Sequence, residues 1–457
     1  MTRLLQNYHR LTVPLFGILF GLCACGPQSR QEAETVAVTT ASSISDDSLL
    51  TLVQFQTFNY FWDGAEPVSG MGRERIHMDN VYPQNDKNVV TSGGSGFGLM
   101  AMVVGIERGF ISRQQGIERF EKVLHFLETA DRYHGVWPHW WYGDTGKTKP
   151  FSKKDDGGDL VETSFLAQGL LVVRQYLNRE DEREAALIDR INKLWKEIEF
   201  DWHTQEGQNV LYWHWSPNYG WEKDFDVRGY NECLIMYVLA AGSPTHSIRP
   251  EVYHEGWARG GIIAEDTVYY GLQTVLNHYE TNNDPVGPLF WAHYSYLGLD
   301  PRKLQDRYAD YWTLNQNHAL IHYKHCVANP HGFKGYGENL WGLTSSYSPR
   351  GYAAHKPNQD ISVISPTAAL SSFPYTPEES MRMLRFLYQE ADSLVGEYGP
   401  YDAFSLEKDW YLPRYLAIDQ GPIPVMIENY RSNLIWELFM SAPEVHVGLN
   451  KLGFASQ

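Results

Sequence analysis

Apolar residues recur with a helical period along most of the chain, whereas strand-like alternation is confined to short stretches. The helical segments are of two kinds that alternate along the sequence. One kind is apolar on all sides and covers residues 97–109, 160–176, 230–241, 288–298, 366–373 and 422–440. The other kind carries one charged face and covers residues 48–62, 112–132, 181–201, 301–322 and 377–395. Helices that are apolar all round are buried, and one-sided helices cover them.

This alternation predicts two concentric layers of helices. About a dozen helices in inner and outer pairs would make six helical hairpins closed into a ring, so we predict an all-α fold, the (α/α)6 toroid. The helix from residue 48 is expected to pair with the C-terminal one. The pairing is least defined over residues 244–284, which suit either a helix or a short hairpin. Long connections over 133–158, 204–228 and 331–365 are expected to form a cleft at one rim, because loops of this length usually carry function.

The N-terminus has the pattern of an export signal. Arg3 and Arg10 precede an apolar stretch at residues 11–22, and Cys25 follows it in a lipobox-like context. The stretch is shorter than the roughly 20 residues that a membrane span requires. We therefore expect a lipoprotein of the cell envelope, periplasmic or held at the outer membrane, that touches a membrane only through a lipid on Cys25. The expected organisation is a signal peptide over residues 1–24, a flexible polar tether over 25–47 and a single folded domain over 48–457.

Composition narrows the possible partners. With 38 basic against 55 acidic residues the chain is anionic, and it has no basic stripe that could neutralise phosphates, so nucleic acid is not an expected partner. After Cys25 only Cys233 and Cys326 remain in the folded domain, which leaves room for one bridge but not for a disulfide framework. Many of the 15 Trp and 29 Tyr lie in loop-like stretches at 134–144 and 210–222. Flat rings in such loops suit the faces of sugars.

The stretch DDGGDLVET, from Asp155 to Thr163, packs four carboxylates around a glycine pair. Three interpretations compete: a helix cap, a metal-diphosphate site of the DDxxD type, and the carboxylates of a hydrolase. Asp159 and Glu162 have the spacing of a capping box, but a cap needs neither Asp155 nor the glycine pair. A DDxxD site requires its acids on one face of a helix, and two consecutive glycines would disrupt that helix. We therefore expect no metal ion and no other cofactor.

Two further acids occupy similar places. Glu232 opens the apolar segment from residue 230, and Asp419 stands just before the last inner segment. Either one alone could be a charge favoured by the helix dipole. Together with Asp159, they place carboxylates at the start of three inner helices, whose N-termini share one rim in an up-down ring. Glycoside hydrolysis needs one protonated and one ionised carboxyl group, and crowding of acids raises the pKa of one of them.

Seven segments, in order along the chain, resemble the bacterial glycoamylase-like family, in particular glycoside hydrolase family 144. They are TSGGSGFGLMA, GGDLVETSFLAQGLL, HWSPNYGW, GYNECLIMYVLA, GPLFWAHYSYLGLDP, YGENLWGLTSS and GPIPVMIENYRSNLIW. The resemblance covers nearly the whole of the predicted folded domain. It implies an (α/α)6 toroid with an acidic pocket that hydrolyses β-1,2-linked glucose chains with inversion and without a metal ion.

Site residues follow from the same resemblance. Asp159, Glu162 and Glu232 are the catalytic candidates, with Glu232 as the favoured acid and Asp159 or Glu162 positioning water. Which carboxyl is acid and which is base stays open. Substrate contacts are expected at Asp155, Asp419, Trp141, Glu338 and Trp341, although Trp141 could equally be a packed loop anchor.

The expected activity is exo-acting, with release of the disaccharide sophorose from β-1,2-glucan or its oligosaccharides. The protein is expected to be a monomer. Residues 243–284 are the candidate wall that would close one end of the cleft. An endo-acting glucanase of the same family and a non-catalytic glycan-binding lipoprotein are the alternatives.

Overall fold

The computed structural model describes residues 44–278 and 286–455. The predicted signal peptide, Cys25 and most of the predicted tether lie outside the described residues. No helix within those two ranges is both long and apolar enough to cross a membrane. The α-helices of the described chain are α1 (Asp46–Trp62), α2 (Ser92–Glu107), α3 (Arg113–Thr129), α4 (Leu160–Tyr176), α5 (Glu182–Lys196), α6 (Leu234–Gly242), α7 (Tyr311–Ala328), α8 (Pro366–Leu370), α9 (Pro377–Gln389), α10 (Ala417–Gln420), α11 (Pro422–Ser432), α12 (Leu434–Met440) and α13 (Pro443–Lys451).

Six apolar segments form a closed inner ring. Around it α2 contacts α4, α4 contacts α6, α6 contacts the 3-10 turn Ser295–Leu297, α8 contacts α11, and α11 returns to α2. Hydrogen bonds join the fourth segment, residues 288–298, to the residues that follow α8: the Tyr375 hydroxyl donates to the Ala292 carbonyl at 3.0 Å, and His293 Nε2 lies 2.9 Å from Ser372 Oγ. The ring confirms the predicted (α/α)6 toroid.

The amphipathic helices α1, α3, α5, α7 and α9 cover this ring from outside. The first helix packs on the last inner one, as expected, with Gln54 Nε2 donating to Glu428 Oε2 at 3.0 Å. Arg108 at the end of α2 donates to the same carboxylate at 2.7 Å. These bonds tie the beginning of the described chain to its end.

Several predicted helix boundaries are wrong, each for a local reason. The segment 288–298 forms two 3-10 turns, because Gln168 of α4 bonds its backbone at the Tyr294 carbonyl and the Gly298 N–H. The predicted helix 422–440 divides at Asn433, whose φ of 64° ends α11 in a left-handed cap. The helix predicted from residue 301 begins ten residues later, where Asp310 caps it by accepting from Thr313 N at 2.8 Å.

Two other segments also differ from the prediction. The apolar segment from residue 230 becomes helical only at Leu234, so Glu232 lies in the irregular stretch before α6. The undefined region from residue 244 contains a π-helical turn, Val252–Trp257, and a short β-hairpin, so neither single alternative describes it. Cys233 and Cys326 are both buried and unbridged.

Short antiparallel strand pairs connect the helices. The strands are β1 (Arg75–His77), β2 (Val89–Thr91), β3 (Trp140–Tyr142), β4 (Thr148–Lys149), β5 (Gly158–Asp159), β6 (His214–Trp215), β7 (Val268–Tyr269), β8 (Leu272–Gln273), β9 (Ser345–Ser346), β10 (Ala353–Ala354), β11 (Val395–Gly396), β12 (Gly399–Pro400), β13 (Phe404–Ser405), β14 (Trp410–Tyr411) and β15 (Arg414–Leu416). Three sheets matter for the site: β1 with β15, β2 with β3 and β4, and β5 with β6. Each ends beside the start of an inner helix and fixes the loops there.

Glycine allows α2 and α4 to approach closely. A Cβ added at Gly96 would lie 2.2 Å from the Phe165 carbonyl oxygen, and one added at Gly169 would lie 2.2 Å from the Gly96 carbonyl oxygen. Backbone atoms therefore occupy the space that a methyl group would need. The glycine-rich start of the first inner helix serves this packing.

We expect Gly169→Ala to lower the free energy of unfolding by about 1–3 kcal/mol, because the methyl group overpacks the contact between α2 and α4. Urea unfolding of the two proteins measures the change. Gly337→Ala is the control, since a Cβ there meets nothing within 4 Å. Equal midpoints for Gly169→Ala and the unaltered protein would contradict the proposed closeness of the two helices.

Candidate active site

A cleft with a cavity volume of about 400 Å³ opens where several inner helices begin. Three carboxyl groups, two aromatic-rich loops and several cations face it. Its lining residues are Glu74, Arg75, Gln84, His139, Trp140, Lys149, Phe151, Glu162, Phe165, Trp213, Glu232, Phe290, Tyr294, Tyr347, Tyr352, Leu416 and Ile418. The structure thus brings Glu162 and Glu232 together, although 70 residues of chain separate them.

Asp159 fixes the start of α4 and contacts the cleft through a second residue. Its Oδ1 accepts from the Glu162 N–H at 2.9 Å, which caps the helix. Its Oδ2 lies 2.9 Å from Nδ1 of His139. The predicted capping box is only half formed, because the Glu162 side chain bonds elsewhere and the Asp159 N–H donates to the Trp137 carbonyl. The cap and the site therefore use different oxygens of one carboxylate.

Glu162 projects from the first turn of α4 into the cleft. Its Oε2 accepts from the Gly93 N–H at 2.9 Å, and a Cβ at Gly93 would lie 2.4 Å from that oxygen. Only glycine therefore leaves room for the carboxyl group in this position. Burial raises the pKa of Glu162 to about 7, with Asp159 and Glu74 acting in the same direction and His139 opposing them.

His139 is a site residue that sequence reasoning missed. Its Nδ1 faces Asp159, and its Nε2 lies 4.0 Å from Oε1 of Glu162. Burial disfavours the charged ring, but the carboxylates of Glu162 and Asp159 outweigh burial and raise the pKa of His139 to about 10. The ring is therefore a cation at neutral pH. In the sequence, the only indication of a role for His139 is its position in an aromatic loop, PHWW.

Glu232 approaches the cleft from the irregular stretch before α6. Its backbone carbonyl accepts from the Ser295 hydroxyl, which holds the stretch against the fourth inner segment. Burial raises the pKa of Glu232 to about 7, and the negative charge of Asp159 adds to the effect. Among the described residues, no side chain forms an ion pair with Glu232, so no cation favours its ionised form.

Asp155 lies behind the cleft and is not among its lining residues. Its Oδ1 is 3.2 Å from His214 Nδ1, and its Oδ2 is 2.9 Å from Lys223 Nζ. Burial disfavours its charge, but His214, His139 and Lys223 together hold the pKa of Asp155 below its usual range. Asp155 acts here as a fixed negative charge. Its position is better suited to holding neighbouring site residues in place than to contacting the substrate.

Ligand atoms of His139, Asp155 and Asp159 lie within 4.8 Å of one another, which is close enough for a metal ion. The raised pKa of His139, however, places a proton on the nitrogen that faces Asp159. A metal ion would have to displace that proton. The three residues fit an ion-paired network better than a metal site.

Asp419 also lies behind the cleft wall, next to Asp402. Burial and the neighbouring Asp402 raise the pKa of Asp419 well above its usual range, and burial raises the pKa of Asp402 to about 6. Tyr347 N donates to Asp402 Oδ2 at 2.7 Å. Burial and mutual repulsion therefore disfavour ionisation of both acids together. Asp402 was not anticipated from the sequence.

The predicted sugar contacts at Trp141, Trp341 and Glu338 are not among the lining residues. Trp141 is fully buried, and its indole N–H donates to the Asp131 carbonyl at 3.1 Å. It therefore anchors its loop by packing, which was the alternative to a sugar contact. Trp341 is equally buried and donates to the Glu379 carbonyl, while Glu338 is exposed outside the cleft. Successive side chains of a strand face opposite sides, so Trp140 lines the cleft while Trp141 packs inwards.

The expected wall at residues 243–284 contributes no lining residue among its described positions. The lining includes instead Gln84 and, from the loop between β9 and β10, Tyr347 and Tyr352.

Three comparisons place this structure among known proteins. A family model named Glycoamylase matches residues 224–443. The chain is 46% identical over 438 residues to an exo β-1,2-glucooligosaccharide sophorohydrolase (non-reducing end) from Parabacteroides distasonis; it spans 60% of that relative's length, and the match covers 92% of this chain.

Solved structures agree with these similarities. An endo-β-1,2-glucanase from Chitinophaga pinensis, in complex with sophorotriose and glucose, superposes with a TM-score of 0.89 at 62% identity over 91% of this chain and 99% of that chain. A β-1,2-glucanase from Parabacteroides distasonis gives a TM-score of 0.84 at 44% identity, over 90% of this chain and 60% of that chain.

The fold and the site define the class of glycoside hydrolases built on an (α/α)6 toroid. Within this class the chain belongs to the glycoamylase-like family, as a member of glycoside hydrolase family 144.

We expect His139→Gln to lower kcat/KM roughly 10²-fold. Without the cation, the buried Glu162 stays protonated to a higher pH, and a protonated carboxyl group cannot act as a base. The acid limb of the pH profile should move to higher pH, since the pKa of Glu162 rises when His139 no longer opposes it. Kinetics across pH, with circular dichroism as the control for folding, measure both effects. Full activity with an unchanged profile would contradict this role.

Proposed function

We propose that this protein hydrolyses β-1,2-linked glucose chains by an inverting mechanism. One observation carries the proposal: two buried carboxyl groups, Glu162 and Glu232, face the same cavity, and a cation stands beside only one of them. Burial raises the pKa of each acid to about 7, and the cation favours the ionised form of Glu162 alone, which assigns Glu162 as the base and Glu232 as the acid. The linkage is proposed from the relatives, which are named for β-1,2-glucans.

In the proposed reaction Glu232 is the general acid. Its proton passes to the glycosidic oxygen as the bond between that oxygen and the anomeric carbon breaks. Glu162, kept ionised by His139, takes a proton from a water molecule whose oxygen adds to the opposite face of the anomeric carbon. The reaction leaves Glu232 ionised and Glu162 protonated, and exchange with solvent restores both groups.

Asp159 and His139 have positioning roles in this scheme. Asp159 holds the histidine ring at Nδ1 and the backbone of Glu162 at its N–H, so one carboxylate sets the place of both neighbours. Trp140 and Phe151 provide apolar rings at the cleft, with centroids 4.8 Å apart. Such rings suit the apolar faces of glucose units.

For the mode of cleavage, exo action with release of sophorose is supported by the name of the Parabacteroides distasonis relative. Endo action is the second candidate, because the Chitinophaga pinensis structure is more similar in sequence and is covered almost completely. Either mode uses the same carboxyl groups.

Product analysis tests the proposal. Linear β-1,2-glucan and β-1,2-glucooligosaccharides should be cut, whereas β-1,3-glucan and starch should not. Sophorose as the first product indicates exo action, and a ladder of lengths indicates endo action. Glu232→Gln, with the same shape but no acid proton, should lose roughly 10²–10⁴-fold in kcat while remaining folded. Binding of an oligosaccharide without any cleavage would instead support the glycan-binding alternative.

The pH dependence has a defined sign. Glu232 must be protonated to act as acid, and its pKa is raised to about 7, so activity falls as the pH rises through that value. On the acid side, activity falls as Glu162, whose pKa is also raised to about 7, takes up a proton. Initial rates at low substrate concentration give kcat/KM directly. A profile that stays flat through pH 7 and above would contradict the assignment of the acid.

We also propose that the protein is a monomeric lipoprotein of the cell envelope, anchored through Cys25, as the pattern at residues 3–26 suggests. Cys25→Ser should abolish labelling by a fatty acid and release the protein from membranes. Unchanged membrane association of this variant would contradict the anchor, and light scattering tests the oligomeric state.

A further inference from the structure

Glu232 lies in an irregular stretch, residues 229–233, that precedes α6. Inside the stretch, the Cys233 N–H donates to Oδ1 of Asn231 at 2.9 Å, which closes a turn and not a helix. A general acid must stand within hydrogen-bond reach of the oxygen that it protonates. A stretch that is not helical does not by itself fix a side chain so closely. Contacts with other parts of the chain must therefore hold Glu232 in place.

Tyr230 attaches this stretch to the outer helix α7. Its ring is buried and packs edge-on against Trp291, with centroids 5.6 Å apart, and its N–H donates to the Asn277 carbonyl at 2.8 Å. Its hydroxyl oxygen lies 3.0 Å from Nδ1 of His318 and 3.4 Å from Oδ1 of Asn315. Both of these partners belong to α7. The anchor therefore stands only two residues before the acid.

The second nitrogen of His318 fixes the direction of the bond to Tyr230. Nε2 lies 2.8 Å from the Gly287 carbonyl, and a carbonyl only accepts, so Nε2 carries a hydrogen. Burial lowers the pKa of His318 to about 4, so near neutral pH the ring is uncharged and Nδ1 has no hydrogen. Nδ1 therefore accepts a hydrogen bond from the Tyr230 hydroxyl.

The same imidazole also holds a neighbouring wall of the cleft. Gly287 directly precedes the fourth inner segment, residues 288–298, whose Tyr294 lines the cleft. His322, one turn further along α7, donates to the same Gly287 carbonyl at 2.9 Å and strengthens the attachment. One ring on α7 thus connects the beginning of this wall to the stretch that carries the acid.

Packing alone does not require polar groups at these two positions. Phenylalanine at 230 and an apolar residue at 318 would fill similar space without burying a hydroxyl group and two ring nitrogens, which costs free energy unless they are hydrogen-bonded. A fully bonded buried network instead specifies one arrangement of the segments that it joins. The bond between Tyr230 and His318 is thus suited to setting a position.

We propose that Tyr230 and His318 are positioning residues for the general acid, because their hydrogen bond holds residues 229–233 where the Glu232 carboxyl group meets the glycosidic oxygen. This role rests on the proposed function of the cleft. Neither residue is among those that line the cavity, so substrate binding should depend on them little. A displacement of about 1 Å at a reacting group can cost on the order of 10²-fold in rate.

Steady-state kinetics with a β-1,2-glucooligosaccharide test this role. We expect Tyr230→Phe, which removes only the hydroxyl group, to lower kcat roughly 10-fold while KM changes by less than about twofold. His318→Leu removes both ring nitrogens and should lose at least as much. His318→Gln keeps one donor and one acceptor and should recover part of kcat. Because Tyr230→Phe and His318→Leu break the same bond, the double variant should lose little more than His318→Leu alone.

The matched control is Tyr388→Phe on the outer helix α9. Its hydroxyl group donates to Oε1 of Gln56 in α1 at 2.6 Å, and the residue does not line the cleft. This variant can lower the melting temperature but should leave kcat, KM and the pH profile unchanged. Tyr230→Phe is nearly isosteric and so guards against misfolding of His318→Leu.

The unliganded protein provides a second readout. Burial raises the pKa of Glu232 to about 7, with the charge of Asp159 adding to the effect. In Tyr230→Phe the loosened stretch gives this carboxyl group more water, so its pKa should fall. The infrared band of the protonated Glu232 carboxyl group should then disappear at a lower pH, and the alkaline limb of the kcat/KM profile should move the same way.

Each outcome decides between the proposals. A lower melting temperature with unchanged kcat, KM and Glu232 pKa would overturn the positioning role and leave the hydrolase intact. A rise in KM at constant kcat would overturn it as well, since it would indicate a role in substrate binding. Failure of the unaltered protein to cut any β-1,2 substrate would overturn the proposed function itself and this role with it.

Discussion

The positive charge on His139 is the interaction on which the cleft depends. Three carboxyl groups line one small cavity, and like charges buried together cannot all be ionised. A histidine held by Asp159 and reaching towards Glu162 removes this conflict for one side of the cleft only. The cation favours the ionised form of Glu162, whereas among the described residues no cation does the same for Glu232. The chemical asymmetry that hydrolysis needs is therefore an electrostatic consequence of where one imidazole sits.

The toroid makes that arrangement rigid. Residues of the site come from the starts of different inner segments, and each start is fixed by a strand pair or a backbone contact. Asp159 lies opposite His214 in the pair of β5 and β6, and Gly93 of α2 holds the carboxyl group of Glu162. The close approach of α2 and α4 serves the same purpose, because it sets the distance between Gly93 and the first turn of α4. Packing in the core and chemistry at the rim thus use the same two helices.

The sequence predicted what depends on periodicity and local spacing. The inner and outer helices followed from apolar patterns, and the acids at helix starts followed from the up-down topology of a ring. What it did not predict depends on side-chain direction and on contacts between distant residues. Trp140 and Trp141 are adjacent residues of the same type. Only the direction in which each side chain leaves the strand decides that Trp140 lines the cleft and Trp141 packs in the core. His139 acquires its role from partners that only the folded chain brings near, and the Gln168 bonds within residues 288–298 are equally non-local.

The central claim is that the cation His139 makes Glu162 lose its proton at a lower pH than Glu232. Infrared difference spectra of the unliganded protein against Glu232→Gln and against Glu162→Gln, titrated on either side of pH 7, measure the protonated carboxyl groups directly. The account predicts that the protonated-carboxyl component removed by Glu232→Gln disappears at a higher pH than the component removed by Glu162→Gln, while a component from the buried Asp419 remains in both variants. The opposite order of the two components would reverse the acid and the base and contradict the account.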